Sequence, residues 1–121
     1  MVKLSERFES LTATILSNKY KGKQNFLVEQ VLTGDFYDKG IEQVKLILNA
    51  GKKEKFSFVL NASNTDFLNK YLSSVNIEPD SDNIDIGSRI ELEAYDTGGQ
   101  GTYKFGVRII NFTLPHLQKE L

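Results

Sequence analysis

The chain has 121 residues, 40% of them apolar and 26% charged, with a net charge of −1 and no cysteine. That length supports one core and one domain, and the apolar content excludes disorder over most of the chain. The absence of cysteine removes disulfides, thiolate metal sites and cysteine nucleophiles together, and no apolar run nears the roughly 20 residues that span a bilayer.

The charge is unevenly placed. Residues 1–61 carry ten Lys/Arg against seven Asp/Glu, and residues 62–121 carry five against nine. The basic groups gather in Lys19-Tyr20-Lys21-Gly22-Lys23 and Lys52-Lys53-Glu54-Lys55, the acidic ones in Glu78 to Asp85. Either cluster alone reads as a solvated loop, but a chain polarised in this way can hold a polyanion on one side only. The opening MVKLSERFES has no apolar signal core, so the expected location is the cytoplasm.

In chain order, residues 3–17 carry two signals. Leu4, Phe8, Leu11 and Ile15 recur at helical spacing, while Thr12, Thr14 and Ile15 are β-branched. The expectation is a short helix followed by an extended lead-in, with 18–24 a polar link. A first strand follows at 25–33, where Phe26, Val28 and Leu32 share one face and Leu27, Glu29 and Val31 the other. After a turn bounded by Gly34 and Gly40, a second strand at 41–49 turns Val44, Leu46 and Leu48 inward, with Ile47 interrupting an otherwise polar outer face. A third strand at 55–61 puts Phe56, Phe58 and Leu60 on one face. Ser63 or Asn64 then reads as an N-cap. The helix runs to about Ser74, with Phe67, Leu68, Tyr71, Leu72 and Val75 as its buried stripe.

Pro79 and the acidic loop end that helix. A fourth strand at 88–95 alternates Ile90, Leu92 and Ala94 with Arg89, Glu91 and Glu93, and residues 96–102 form a glycine-rich hairpin tip. A fifth strand at 103–110 turns Tyr103, Phe105, Val107 and Ile109 to one side, and Pro115 breaks the pattern. Three strands, a helix and two strands make a mostly all-β chain. The order suits a five-stranded OB-fold barrel with one helix between strands 3 and 4. Residues 1–121 are then a single domain, with 1–24 a lead-in and 113–121 a C-terminal arm. Barrels of this type bind single-stranded nucleic acid or oligosaccharide on one open face.

No local motif carries catalysis. His116 is the only histidine and lacks partners for a metal site or a triad. The carboxylates between Glu78 and Asp85 lack the central glycine and terminal glutamate of a calcium loop, and Gly98-Gly99-Gln100-Gly101 lacks the Lys-Ser/Thr and helix of a phosphate loop. What remains is aromatics interleaved with cations in loops that would frame the binding face: Lys19, Tyr20, Lys21, Lys23; Phe36, Tyr37; Lys52, Lys53, Lys55; and Tyr103, Lys104, Arg108. Phosphates need several cations along a groove, and unpaired bases stack on rings at about 1–3 kcal/mol each. Phe56, Phe58 and Phe105 are expected in the core.

Several short stretches also carry a resemblance. Val59-Leu60-Asn61 closes a strand before the helix start Ser63-Asn64. Ile86-Gly87-Ser88-Arg89 opens a strand after the acidic loop, Val107-Arg108-Ile109 closes the last, and Lys21-Gly22-Lys23 precedes the first. In this punctuation, over nearly its full length, the chain resembles the single-stranded-DNA-binding proteins of lactococcal phages. The resemblance implies an OB fold, DNA binding with little sequence preference and no cofactor, and a homo-oligomer, expected to be a dimer. It also implies a part in phage replication or recombination, with phage proteins as partners, inside the host cytoplasm. The chain departs from bacterial single-strand binders in ending LPHLQKEL rather than in an acidic recruiting tail. The expected function is non-enzymatic single-stranded DNA binding; the alternative is an OB-like protein-interaction or assembly module.

Overall fold

The computed structural model describes residues 8–51, 54–101 and 104–118. Among these, the elements run β1 (Glu9–Ser10), α1 (Ala13–Tyr20), β2 (Lys23–Gly34), β3 (Gln43–Asn49), β4 (Lys55–Val59), α2 (Ala62–Ser74), β5 (Arg89–Asp96), β6 (Phe105–Thr113) and α3 (Pro115–Gln118). The strands form one curled half-barrel sheet in the order β1-β4-β3-β2-β5-β6. The chain is mostly β, as expected, but with six strands rather than five. The addition is β1, whose two residues run parallel to β4. No described helix is long and apolar enough to cross a membrane.

β2 is the axis of the sheet. Its first half, Lys23 to Leu27, pairs with β5, and its second half, Leu27 to Gly34, pairs with β3. A bulge at Glu29, just past the point where the β5 pairing ends, makes the strand bend. It also shifts the alternation: Phe26 and Val28 point into the core before it, and Val31 packs there after it. This is why neither face of 25–33 reads as purely polar, and why Leu32, grouped with Phe26 by strict alternation, lies 40% exposed.

The core behind the sheet holds Leu46, Leu48, Phe56, Phe58, Ile90, Leu92, Ile109 and Phe112. The anticipated apolar stripe of α2 covers it, with Leu68 and Leu72 buried. The helix starts earlier than expected, because Asn61 is its N-cap and Asn61 Oδ1 accepts the Asn64 N–H at 2.9 Å. Asn64 itself is buried and has another task. Its Nδ2 donates to the Val107 carbonyl at 3.1 Å, and its Oδ1 accepts the Ile109 N–H at 3.0 Å. The amide stands in for a neighbouring strand along the edge of β6.

The N-terminal segment is more than a lead-in. Thr12 caps α1, with the Ile15 N–H donating to its Oγ1 at 3.2 Å. Lys21 ends the helix in the left-handed region at φ 60°, and the Gly22 N–H donates to the Leu16 carbonyl at 2.8 Å. α1 therefore lies at 13–20; of the window read at 3–17, residues 8–12 are not helical and 3–7 lie outside the described residues. Leu11 and Leu16 enter the core, and the Leu11 N–H donates to the Ser57 carbonyl at 2.8 Å. α1 packs beside β2, β5 and β6, so β1 and α1 occupy the seam between β4 and β6. At the other end, Leu114 is fully buried and its N–H donates to the Tyr71 hydroxyl at 3.2 Å, which docks the C-terminal segment on α2.

Candidate nucleic-acid interface

A cleft of about 560 Å³ opens between β4 and the start of β6. Ser57, Phe58 and Val59 form one wall, and Phe105, Gly106 and Val107 the other. Ser10 to Thr14 lie along the seam, and Tyr37 reaches in from the β2–β3 loop. Tyr37 and Phe105 are 57% and 56% exposed, a costly position for rings of this size. Each has a lysine over it: Lys39 Nζ is 5.7 Å from the Tyr37 ring centre and Lys104 Nζ is 5.5 Å from that of Phe105.

The electrostatics of the cleft favour an anion. No carboxylate is among its described lining residues, whose polar side chains are hydroxyls and the Asn61 amide. Both longer helices begin here, because their N-caps Thr12 and Asn61 line the cleft. The positive ends of two helix dipoles thus converge on it. The arrangement offers flat apolar faces beside cations and helix N-termini, the combination that an unpaired base and its phosphate require.

The candidates read from the sequence divide between this cleft and other places. Tyr37 lines the cleft, and Lys104 stands at its edge with its Nζ over the Phe105 ring. Phe36 is half-buried under Lys45, whose Nζ is 4.2 Å from its ring centre. Tyr20 is a packing residue, edge-on to Phe26 and Phe56 at 6.1 and 6.3 Å. Its hydroxyl donates to Glu54. Burial, then that bond and the Glu54 charge, push the hydroxyl up to about 12.

Lys19 lies with its Nζ 5.8 Å from the Phe56 ring centre, and Lys21 is exposed at the end of α1. Lys23 sits opposite Glu93. Lys55 pairs with Glu29 at 2.8 Å, and together with Asn49 it holds the Glu29 carboxyl below its usual range. Arg108 pairs with Glu93 at 2.5 Å and lies 4.7 Å from the Tyr95 ring centre. Lys52, Lys53 and Tyr103 lie outside the described residues.

Phe105 corrects the sequence reading. It was expected in the core by alternation from Tyr103 to Ile109, but β6 begins at Phe105 and its ring stands at the cleft mouth. Phe56 and Phe58 are buried as expected. Sequence reasoning also missed Lys39, Thr12 and Asn61. The adjacency of Lys104 to Phe105, directly after a glycine-rich loop, was the available signal for the aromatic. Nothing local in the sequence marks two N-caps as neighbours. Among the described residues, no three His, Cys, Asp or Glu side chains gather into a group that could hold a metal ion. A comparison with protein families, curated proteins and solved structures finds no match for this chain.

Proposed function

We propose that the chain is a non-enzymatic, sequence-nonspecific single-stranded-DNA-binding protein of the OB type. On this reading β2 to β6, with α2 between β4 and β5, are the barrel, and β1 is an added edge. The observation that carries the reading is the pair of exposed rings, Tyr37 and Phe105, each under a lysine, flanking a cleft whose described lining has no acidic side chain. Bases stack on the rings, while the lysines and helix N-termini take the phosphates and leave base edges largely unread. A role in phage replication or recombination as a homodimer extends the same reading.

The test is fluorescence anisotropy of a labelled oligo-dT of roughly 30 nucleotides, long enough to cover one or more OB sites, against matched duplex at two salt concentrations. Tight, salt-sensitive, single-strand-selective binding is expected. Absence of binding at low salt refutes the reading. It would then favour the protein-interaction module, whose supporting observation is the net charge of −1.

A further inference from the structure

Phe105 lines two openings. One is the cleft; the other is a groove of about 220 Å³ whose remaining walls are Ala13, Thr14, Ser17 and Asn18 of α1. Thr14, Ser17, Asn18 and Lys21 are spaced i, i+3, i+4 and i+7, so they follow one face of the helix and its end. All four are exposed, and α1 contains no acidic residue. The groove shares Ala13, Thr14 and Phe105 with the cleft. The two openings therefore adjoin at the Phe105 ring.

We propose that this face of α1 is the second half of the nucleic-acid track. Single-stranded DNA leaves the cleft over Phe105 and runs along α1 toward Lys21. Ser17 and Asn18 hydrogen-bond the sugar-phosphate backbone, and Lys21 neutralises a phosphate. The inference rests on the cleft reading and adds a footprint to it. From Thr14 to Lys21 the helix rises about 10 Å, the length of about three stacked nucleotides. It also gives Lys21 a role distinct from that of Lys23 and Arg108, whose strand positions both face Glu93.

The experiment measures affinity for oligo-dT from about 4 to 16 nucleotides, the range of OB site sizes. It compares the wild type, the double variant Ser17→Glu/Asn18→Glu, and the neutral control Ser17→Gln/Asn18→Gln. Both positions are exposed, and Glu and Gln are good helix formers, so all three chains are expected to fold. Wild-type affinity should rise over about three nucleotides beyond the length that fills the cleft, and the acidic variant should lose this rise. Its affinity for the longest oligonucleotides should fall by about tenfold while the shortest that bind change by less than about twofold, with the neutral control close to wild type.

An acidic variant equal to wild type at every length overturns the α1 track and leaves the cleft standing. A uniform loss at all lengths also overturns the track, because the added charges would then act on the cleft at a distance. If wild type binds no oligonucleotide of any length, the cleft reading fails and the track fails with it.

Discussion

Replacing Asn64 by alanine removes the two hydrogen bonds that hold the edge of β6 to the start of α2. Ile109, whose N–H would lose its acceptor, is only 4% exposed, so water cannot readily replace the amide. Val107, whose carbonyl would lose its donor, is half-buried. An orphaned buried backbone group costs about 1–3 kcal/mol. Weighting Ile109 toward the upper end and Val107 toward the lower gives a loss of about 3 kcal/mol. Against a total of about 5–15 kcal/mol for a domain of this kind, that is a large fraction.

In urea, with a slope of about 1.5 kcal/mol per molar, the midpoint should fall by about 2 M. Asn64→Asp gives a second, signed readout. The carboxylate still accepts the Ile109 N–H but cannot donate to Val107, whereas the protonated acid can do both. Burial in that position raises the folded-state pKa of the aspartate. The aspartate variant should thus approach wild type below the unfolded pKa of about 3.9 and lose stability as pH rises through the higher folded value. A loss below about 1 kcal/mol for Asn64→Ala, or an aspartate variant insensitive to pH, would refute the account of Asn64 as a strand substitute.

Three further outcomes are expected. Phe105→Ala and Tyr37→Ala should each weaken oligo-dT binding by about 1–3 kcal/mol, read by anisotropy, with little change in thermal stability because both rings are exposed. The raised Tyr20 pKa means that its neutral form is favoured by folding. The stability it contributes is intact below the usual value of 10.0 and is lost as pH rises toward about 12. Alkaline unfolding of wild type and Tyr20→Phe should diverge in that window. Glu29 has the opposite sign: its lowered pKa contributes stability above the usual glutamate range, lost as pH falls through the folded value. Glu29→Gln should flatten the acid limb of the stability curve, measured by urea unfolding at a series of pH values.

Elements whose partners are local in pattern were legible from the sequence. The stripe Phe67, Leu68, Tyr71, Leu72 and Val75 identified α2 because a helix shows its buried face in its own spacing. The alternation of Leu46 and Leu48, and of Ile90 and Leu92, identified β3 and β5 in the same way. Ile47, which broke the outer face of β3, is only 4% exposed, so its apolar character reflects real cover on that side. Reading failed where one residue changes the frame. The Glu29 bulge swaps the faces of β2 halfway along, and no composition signal announces it. A second bulge, between Glu91 and Leu92 opposite Ile109 to Asn111, does the same for β6.

The site was half legible for a related reason. Lysines and aromatics can be counted in a loop, but whether a lysine faces solvent or a carboxylate depends on strand register. Lys23 and Arg108 both stand opposite Glu93 in the sheet, and Arg108 pairs with it, which neither segment reveals alone. The cleft is likewise assembled from five separate stretches of chain, so its geometry is a property of topology rather than of any motif.

The seam between β4 and β6 has a kinetic consequence. Phe8 and Ser57 meet across 49 residues, whereas β5 and β6 are consecutive strands joined by one short loop. Hairpins with short loops close quickly, and contacts that must close long loops come later. β1 thus has nowhere to dock until β4 is in place, which makes the seam that joins the two walls of the cleft late to close and early to part. A ligand seated there bridges the contacts missing from the transition state. It should therefore slow unfolding while barely changing the rate of folding.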